Sequence, residues 1–349
     1  MKKALGSKLS NFSFIEKLKL RNHQKRFLIK YCPAETKPGY FTLIYTLLLT
    51  APTKRNFFKF TPHRAILRQW RAYRFPTDLA SHHGNLPTIE ILTVVAGKDL
   101  NLLPFSLTSA IENTLNPVSR ITVIIPAIDE ELCKGIVATL NINCEIQIKI
   151  EDEILDLDTR SKLKHKFGKR YGWVLQQLLA DEHIIRSESN GVLLLNADTI
   201  LMRKAAWLEA DGTQKLLVAL EYHEPYYKLL NKLIGSRKSP TTTHVTHHML
   251  FQPSYFREIF YNFKIGDVKN LADWIISNSD PKAESPLCVE FELYAQGMLN
   301  LYPKKIQLRK FSNTSVERSD FSTSVNLYLE YSKYNSISMH SYLEQESYS

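Results

Sequence analysis

The sequence has few of the features that mark a secreted or membrane-spanning protein. It contains four cysteines in 349 residues, and no two of them have the spacing of a Cys-x-x-Cys metal knuckle. This number is low for a disulfide scaffold, so we expect a protein of a reducing compartment. The longest early apolar stretch, residues 40–51, is too short to span a bilayer. No secretory signal is evident, because this stretch does not directly follow the basic N-terminus.

Positive charge is concentrated at the beginning of the chain. The formal net charge is +10, but residues 1–76 hold 17 Lys or Arg side chains against two Glu, a net of +15, so the remainder carries −5. Aromatic residues are interleaved with this charge over residues 1–86. The asymmetry predicts a basic, aromatic N-terminal extension over residues 1–86 that meets an anionic surface.

From Thr88 onward, short apolar runs alternate with helical patterns. Strands are predicted at 89–96, 121–126, 144–150, 192–195, 216–220 and 245–251, and helices at 100–114, 130–140, 171–185, 253–261, 268–277 and 289–301. Strands separated by helices of about 10–15 residues favour a mostly parallel sheet. We therefore predict an α/β domain over residues 87–310, with a Rossmann-like sheet flanked by helices, and a C-terminal tail over 311–349.

One predicted strand leads directly into polar residues. The apolar run of residues 192–195 is followed by Asn196, Ala197 and Asp198. A carboxylate just past a buried strand lies at the edge of the sheet where α/β proteins bind ligands. Mg²⁺-type ions bind through one or two such carboxylates together with substrate phosphates, so Asp198 is a candidate metal ligand. The alternative is that Asp198 caps the next turn.

Four short motifs follow one another along the domain. They are Arg170-Tyr171-Gly172-Trp173 with Gln176-Gln177, then Asn196-Ala197-Asp198-Thr199, then His247-His248-Met249-Leu250-Phe251, and finally Glu290-Phe291-Glu292-Leu293-Tyr294. In this order and at this spacing they resemble an uncharacterised bacterial family grouped with the GT-A-fold glycosyltransferases. The resemblance covers residues 88–308 and excludes the extension and the tail.

The resemblance implies a GT-A-like fold and a nucleotide-sugar donor, with a UDP-sugar expected. GT-A enzymes hold Mn²⁺ or Mg²⁺ on the donor diphosphate with an Asp-x-Asp motif, whose first acid is replaced here by Asn196. Asp198 would hold the metal, with His248 as a further ligand; a core or acceptor-contacting role for His248 stays open. The residues expected at the donor are Asp99, Arg170, Trp173, Gln176, Gln177 and Asn196. The alternative for Trp173 is a position in the core. The alternative for one of the two glutamines is an ordinary position on the helix surface.

Two glutamates are candidates for the catalytic base. An acceptor hydroxyl loses its proton as it attacks, so an inverting enzyme needs a general base, and Glu290 and Glu292 are predicted for this role. Residues two apart on a helix do not share a face, so only one should point into the site, and Glu290 matches the helix start. The alternative to a catalytic role is that Glu290 only compensates the helix dipole, as acids at helix N-termini often do.

These observations predict a hexosyltransferase-type enzyme that acts on a surface glycan or a lipid-linked acceptor. We expect it to be cytoplasmic and peripheral at the inner face of the membrane, with the basic extension on the anionic leaflet. One alternative is a non-catalytic nucleotide-sugar- or glycan-binding module on a degenerate GT-A fold. Another is a nucleic-acid-binding protein that uses the basic extension, against which the acidic remainder and the lack of a nucleic-acid-binding motif argue.

Overall fold

The computed structural model describes most of the chain from residue 74 onward. The described residues are 74–219, 224–235, 243–280, 290–316, 318 and 330–339. The chain divides into two units between Arg74 and Phe75, and the second unit contains the strands and helices of the α/β fold. The predicted basic extension, except for residues 74–86, therefore lies outside the described residues, as does part of the predicted tail.

Within the described residues, ten strands form three sheets. In chain order they are β1 (Ile89–Val94), β2 (Val118–Ile125), β3 (Glu145–Ile150), β4 (Val192–Leu195), β5 (Thr199–Leu201), β6 (Gln214–Val218), β7 (His248–Phe251), β8 (Ile306–Lys310), β9 (Asn313–Ser315) and β10 (Ser336–Ser338). The central sheet has the order β3-β2-β1-β4-β7, and all pairs are parallel except β4 with β7. The chain passes from β1 to β2 on one side and returns to β4 on the other, so the strand order reverses at β1.

Helices cover both faces of the central sheet. In chain order they are α1 (Leu103–Asn113), α2 (Glu130–Ala138), α3 (Glu151–Ile154), α4 (Leu157–Phe167), α5 (Tyr171–Arg186), α6 (Glu224–Ile234), α7 (Pro253–Asn262), α8 (Val268–Asn278) and α9 (Glu290–Leu301). Ile91 packs in the hydrophobic cluster that contains α1, whereas its neighbour Leu92 packs in the cluster that contains α5. Because both faces are covered, β4 is a continuous run of buried aliphatic residues. The predicted α/β fold with a mostly parallel sheet flanked by helices is confirmed.

Some elements were not predicted from the sequence, namely α3, α4, α6, β5, β8, β9 and β10. Helix α4 buries only Leu163 and Phe167 among its large apolar residues, too few for a clear amphipathic pattern. Strands β9 and β10 have three residues each, and β10 pairs with both β9 and the distant β5. Such strands form through long-range pairing, which no local pattern reveals.

The segment before β1 packs on the sheet formed by β6 and β8. The main-chain amide of Lys310 donates to the carbonyl of Pro76 at 2.9 Å, and that of Ala206 donates to the carbonyl of Leu79 at 2.8 Å. The buried ammonium of Lys215 donates to the carbonyl of Leu79 at 2.9 Å and lies 3.3 Å from the carboxylate of Glu209. These contacts join residues 76–79 to the α/β unit, and the predicted domain boundary at residue 86 stays a prediction.

Candidate functional site

A cleft of about 750 Å³ opens at the carboxyl ends of the central strands. Its walls include residues that directly follow β1, β2, β3 and β4. The cleft therefore spans the reversal of strand order between β1 and β4, the position where open α/β sheets bind ligands. Its volume is typical of sites for small molecules and cofactors. We take this cleft as the candidate functional site.

The turn after β4 brings Asn196 and Asp198 to the cleft wall. The main-chain amide of Asn196 donates to the carbonyl of His247 at 2.9 Å, and the carbonyl of Asp198 accepts from the amide of Met339 at 2.8 Å. These bonds attach the turn to the residue before β7 and to the residue after β10, while both side chains remain half-buried. The turn thus places an amide and a carboxylate, two residues apart, at the cleft wall.

Positive charge reaches the cleft from three separate parts of the chain. Lys98 follows β1, Lys169 precedes α5 and Arg318 follows β9. The guanidinium of Arg318 pairs with the carboxylate of Asp99 and donates to the main-chain carbonyls of Lys98 and Met339, each at 3.1 Å. Asp99 therefore lines the cleft with its charge balanced by Arg318. None of the three cations was predicted from the sequence.

The first turns of α5 form a further wall. Trp173 and Gln176 line the cleft there, and the half-buried ring of Trp173 lies 6.1 Å from the ring of Tyr226, centroid to centroid. Gln177 borders the cleft but is buried, and its amide donates to the main-chain carbonyl of Trp173 at 3.2 Å. Arg170 immediately precedes the helix and does not line the cleft. Of the predicted residues in this motif, Trp173 and Gln176 are therefore the best placed to meet a ligand.

His247 lines the cleft, whereas His248 does not. The ring of His248 is fully buried, with its centroid 5.3 Å from that of Trp207 and 5.7 Å from that of Phe311. Burial lowers the pKa of His248 to about 3, with the charge of His247 acting in the same direction. Because successive strand residues point to opposite faces, His247 faces the cleft in place of the predicted ligand His248.

Glu290 and Glu292, at the start of α9, have different surroundings. Glu290 lines the cleft and is nearly buried. Glu292 is fully buried outside the cleft lining, where its carboxylate accepts from the hydroxyl of Tyr227 at 2.7 Å, the main-chain amide of His244 at 2.5 Å and the side-chain amide of Gln296 at 3.0 Å. Of the two predicted bases, Glu290 is therefore the one placed to reach a ligand.

The donor atoms of the cleft limit the kind of metal site that fits. In the part of the chain that the structure describes, no three His, Cys, Asp or Glu side chains are arranged to hold a metal ion. The oxygens of Asp198 and Asn196 instead suit a cation that takes its remaining ligands from substrate phosphates and water. Asp198 fits such a cation, whereas the enclosed ring of His248 does not.

Fold and cleft together define an α/β protein with an open cleft at the carboxyl edge of a mainly parallel sheet. No protein-family description and no curated protein matches the sequence. The fold is similar to that of mouse xyloside xylosyltransferase 1 in its apo form, with 9% sequence identity, a TM-score of 0.38, and coverage of 73% of this chain and 98% of that chain. It is also similar to an active-site mutant of LgtC, with 12% identity, a TM-score of 0.40, and coverage of 72% of this chain and 86% of that chain. The likeness concerns the fold, and at these identities it assigns no residue role.

Proposed function

We propose that this chain is a glycosyltransferase that moves a sugar from a nucleotide-sugar donor, such as a UDP-sugar, to a surface glycan or a lipid-linked acceptor. The observation that carries the proposal is that the Asn196–Asp198 turn and three cationic side chains line one cleft, where the strand order reverses. Oxygen ligands for a cation and positive charges for a diphosphate are thus combined in one site.

The cleft residues match the charge that develops during glycosyl transfer. The bond between the anomeric carbon and the diphosphate breaks, so negative charge grows on the leaving phosphate. Lys98 and Lys169 are the side chains that would balance this charge, because the charge of Arg318 is paired with that of Asp99. Mn²⁺ or Mg²⁺ bound with the diphosphate at Asp198 and Asn196 would supply additional neutralisation.

The acceptor side of the reaction is assigned to the start of α9, and the donor sugar is assigned to the wall made by α5. Glu290 is the carboxyl group that would receive the proton of the acceptor hydroxyl. The half-buried ring of Trp173 offers an apolar surface for a sugar, and the side-chain amide of Gln176 offers hydrogen bonds to its hydroxyl groups.

A donor screen tests the proposal. The purified wild type, Asp198→Ala and Asp158→Ala are incubated with UDP-, GDP- and CMP-sugars, with and without Mn²⁺, and the released nucleotide is measured. Asp158 is the matched control, because its exposed carboxylate pairs with Lys162 outside the cleft. We expect release from one class of donor by the wild type and by Asp158→Ala, and its loss in Asp198→Ala. Equal release by the wild type and Asp198→Ala would contradict the site assignment.

A second candidate function is favoured by one specific residue. Asn196 replaces an acid with a neutral amide, which lowers the negative charge available to hold a cation. The chain would then bind a nucleotide-sugar without transferring the sugar. Calorimetry with UDP-sugars, with and without Mn²⁺, separates the two candidates, since binding without turnover in the donor screen would favour the binding module.

The cell membrane is the proposed place of action. No helix among the described residues has the length and apolar character needed to cross a bilayer. The proposal depends on the net charge of +15 over residues 1–76, because each Lys or Arg near an anionic leaflet contributes roughly 1 kcal/mol. We expect the full chain to float with phosphatidylserine vesicles and to be released by salt. Equal binding to neutral vesicles would contradict this part of the proposal.

A further inference from the structure

The turn that carries Asp198 is attached to the last described part of the chain. Strand β10 pairs antiparallel with β5, which begins directly after Asp198, and it pairs parallel with β9. Met339, the residue after β10, donates its main-chain amide to the carbonyl of Asp198 at 2.8 Å. The main chain of the candidate metal ligand is therefore fixed by a segment that is distant in the sequence.

A small hydrophobic cluster joins this segment to the loop that follows β1. Its buried members are Leu102, Ile200, Met202, Val316, Ile337 and Met339. They come from three parts of the chain, namely the loop after β1, β5 with the residue that follows it, and the β9–β10 segment. The loop after β1 and the strand after the Asp198 turn thus pack on one shared core, to which the C-terminal strands contribute.

Arg318 connects the same parts of the site through polar contacts. Its Nε donates to the carbonyl of Met339 at 3.1 Å, and one terminal nitrogen donates to the carbonyl of Lys98 at 3.1 Å. The other terminal nitrogen pairs with the carboxylate of Asp99, and the Arg318 side chain is only 14% exposed. Since Met339 also holds Asp198, a single guanidinium links the loop after β1 to the turn after β4, and all three of its nitrogens are used.

A second arginine makes the same kind of contacts away from the cleft. Arg257 donates to the main-chain carbonyls of Ile185 at 2.8 Å and Ser187 at 3.0 Å, and it lies 3.8 Å from the carboxylate of Glu188. It does not line the cleft, whereas Arg318 does. Arg257 is therefore a matched control for an arginine whose contacts only stabilise the fold.

We propose that Arg318 is a positioning residue, which acts through Met339 to hold Asp198 in place for a cation bound with the donor diphosphate. The inference rests on the proposed function. The planar fork of arginine is required, because the three acceptors are bonded by three different nitrogens, and the single ammonium of a lysine cannot replace them. The proposal makes the β9–β10 segment a part of the site, although the sequence resemblance ends at residue 308.

Binding of Mn²⁺ in the presence of UDP tests the inference without sugar transfer. Electron paramagnetic resonance measures free Mn²⁺ for the wild type, Arg318→Lys, Arg318→Gln and the control Arg257→Lys. Residues that orient metal ligands typically change metal affinity by about 10- to 100-fold when they are replaced, so we expect both Arg318 variants to bind Mn²⁺ at least about tenfold more weakly. Arg257→Lys should bind like the wild type. Wild-type affinity in Arg318→Lys would overturn the inference, because charge alone would then be sufficient.

Hydrogen exchange shows whether Arg318 acts through the Asp198 turn, with no ligand present. The amide of Met339, which donates to Asp198, should exchange faster in Arg318→Lys than in the wild type, because its local opening becomes easier. Arg257→Lys should leave this exchange unchanged. Unchanged exchange of the Met339 amide in Arg318→Lys would also overturn the inference.

The outcomes separate the inference from the proposed function. Weaker Mn²⁺ binding by Arg318→Lys, together with no sugar transfer by the wild type in the donor screen, would refute the proposed function and support the positioning role. Sugar transfer by the wild type with unaltered Mn²⁺ binding by Arg318→Lys would refute the positioning role alone. Absence of Mn²⁺ binding by the wild type in the presence of UDP would refute the role of Arg318, whatever the donor screen shows.

Discussion

Replacement of Glu90 by Gln tests how strongly one buried carboxylate stabilises the central sheet. Glu90 lies in β1 and is fully buried. Its carboxylate accepts from the hydroxyl of Thr122 at 2.6 Å, the guanidinium of Arg120 at 3.1 Å and the hydroxyl of Ser187 at 3.1 Å, and it lies 2.7 Å from Nε2 of His183. These partners come from β2, from α5 and from the residue that follows α5, so the carboxylate joins two layers of the fold.

The size of the effect follows from the pKa of Glu90. Burial alone would raise it, but the hydrogen bonds from His183 and Arg120 outweigh burial and lower the pKa to about 2 from 4.5. A carboxylate whose pKa falls this far on folding contributes about 3 kcal/mol to the free energy of unfolding at neutral pH. This contribution is complete above the unfolded pKa and is lost as the pH falls through the folded pKa. Gln cannot accept from all four donors, so we expect a loss of about 3–5 kcal/mol.

Urea unfolding followed by tryptophan fluorescence measures this loss. The wild type, Glu90→Gln and the control Glu131→Gln, whose side chain is 87% exposed, are compared at neutral pH and in acid. Glu90→Gln should lose stability at neutral pH, and its difference from the wild type should narrow as the pH falls from about 4.5 to about 2. The reasoning would be refuted if Glu90→Gln lost no more free energy of unfolding at neutral pH than Glu131→Gln does. It would also be refuted if the difference in free energy of unfolding between Glu90→Gln and the wild type did not change in acid.

Three further substitutions test other parts of the structure. Gly297→Ala would place a Cβ atom 2.7 Å from side-chain carbons of Ile259, so we expect urea unfolding to show a loss of about 1–3 kcal/mol that Ile259→Val partly restores. Lys215→Met would leave Glu209 buried without its cation, which should cost about 3–5 kcal/mol and make the segment before β1 more sensitive to limited proteolysis. Glu292→Gln should lower the free energy of unfolding by about 1–3 kcal/mol through its three lost or weakened hydrogen bonds, yet leave the pH profile of sugar transfer in place. An unchanged stability in any of the three variants, or a shifted pH profile in the last, would contradict the assigned role.

Local sequence patterns were sufficient for the parts of the site that depend on one strand or one helix. The buried run of β4 predicted a turn at the sheet edge, and Asn196 and Asp198 line the cleft from that turn. Helical spacing predicted that Glu290 and Glu292 would point in different directions, and only Glu290 lines the cleft. These inferences hold because the periods of strands and helices are set by the backbone.

Other parts of the site depend on packing between residues that are distant in the sequence. Strand alternation separates His247 from His248, but which of them is buried depends on packing against Trp207, whose ring contacts that of His248. Arg318 is a still longer-range case, since it follows β9, whose partner β10 lies beyond it in the chain. A local pattern contains no information about such neighbours, so these positions could not be predicted.

Calorimetric titration of the purified chain with a UDP-sugar and Mn²⁺ tests the central claim most directly. The claim is that Asp198 belongs to a nucleotide-sugar site. It predicts binding by the wild type and by Asp158→Ala, and an affinity at least about tenfold lower for Asp198→Ala, equivalent to about 1.4 kcal/mol. Equal affinity of the wild type and Asp198→Ala for the nucleotide-sugar would contradict it.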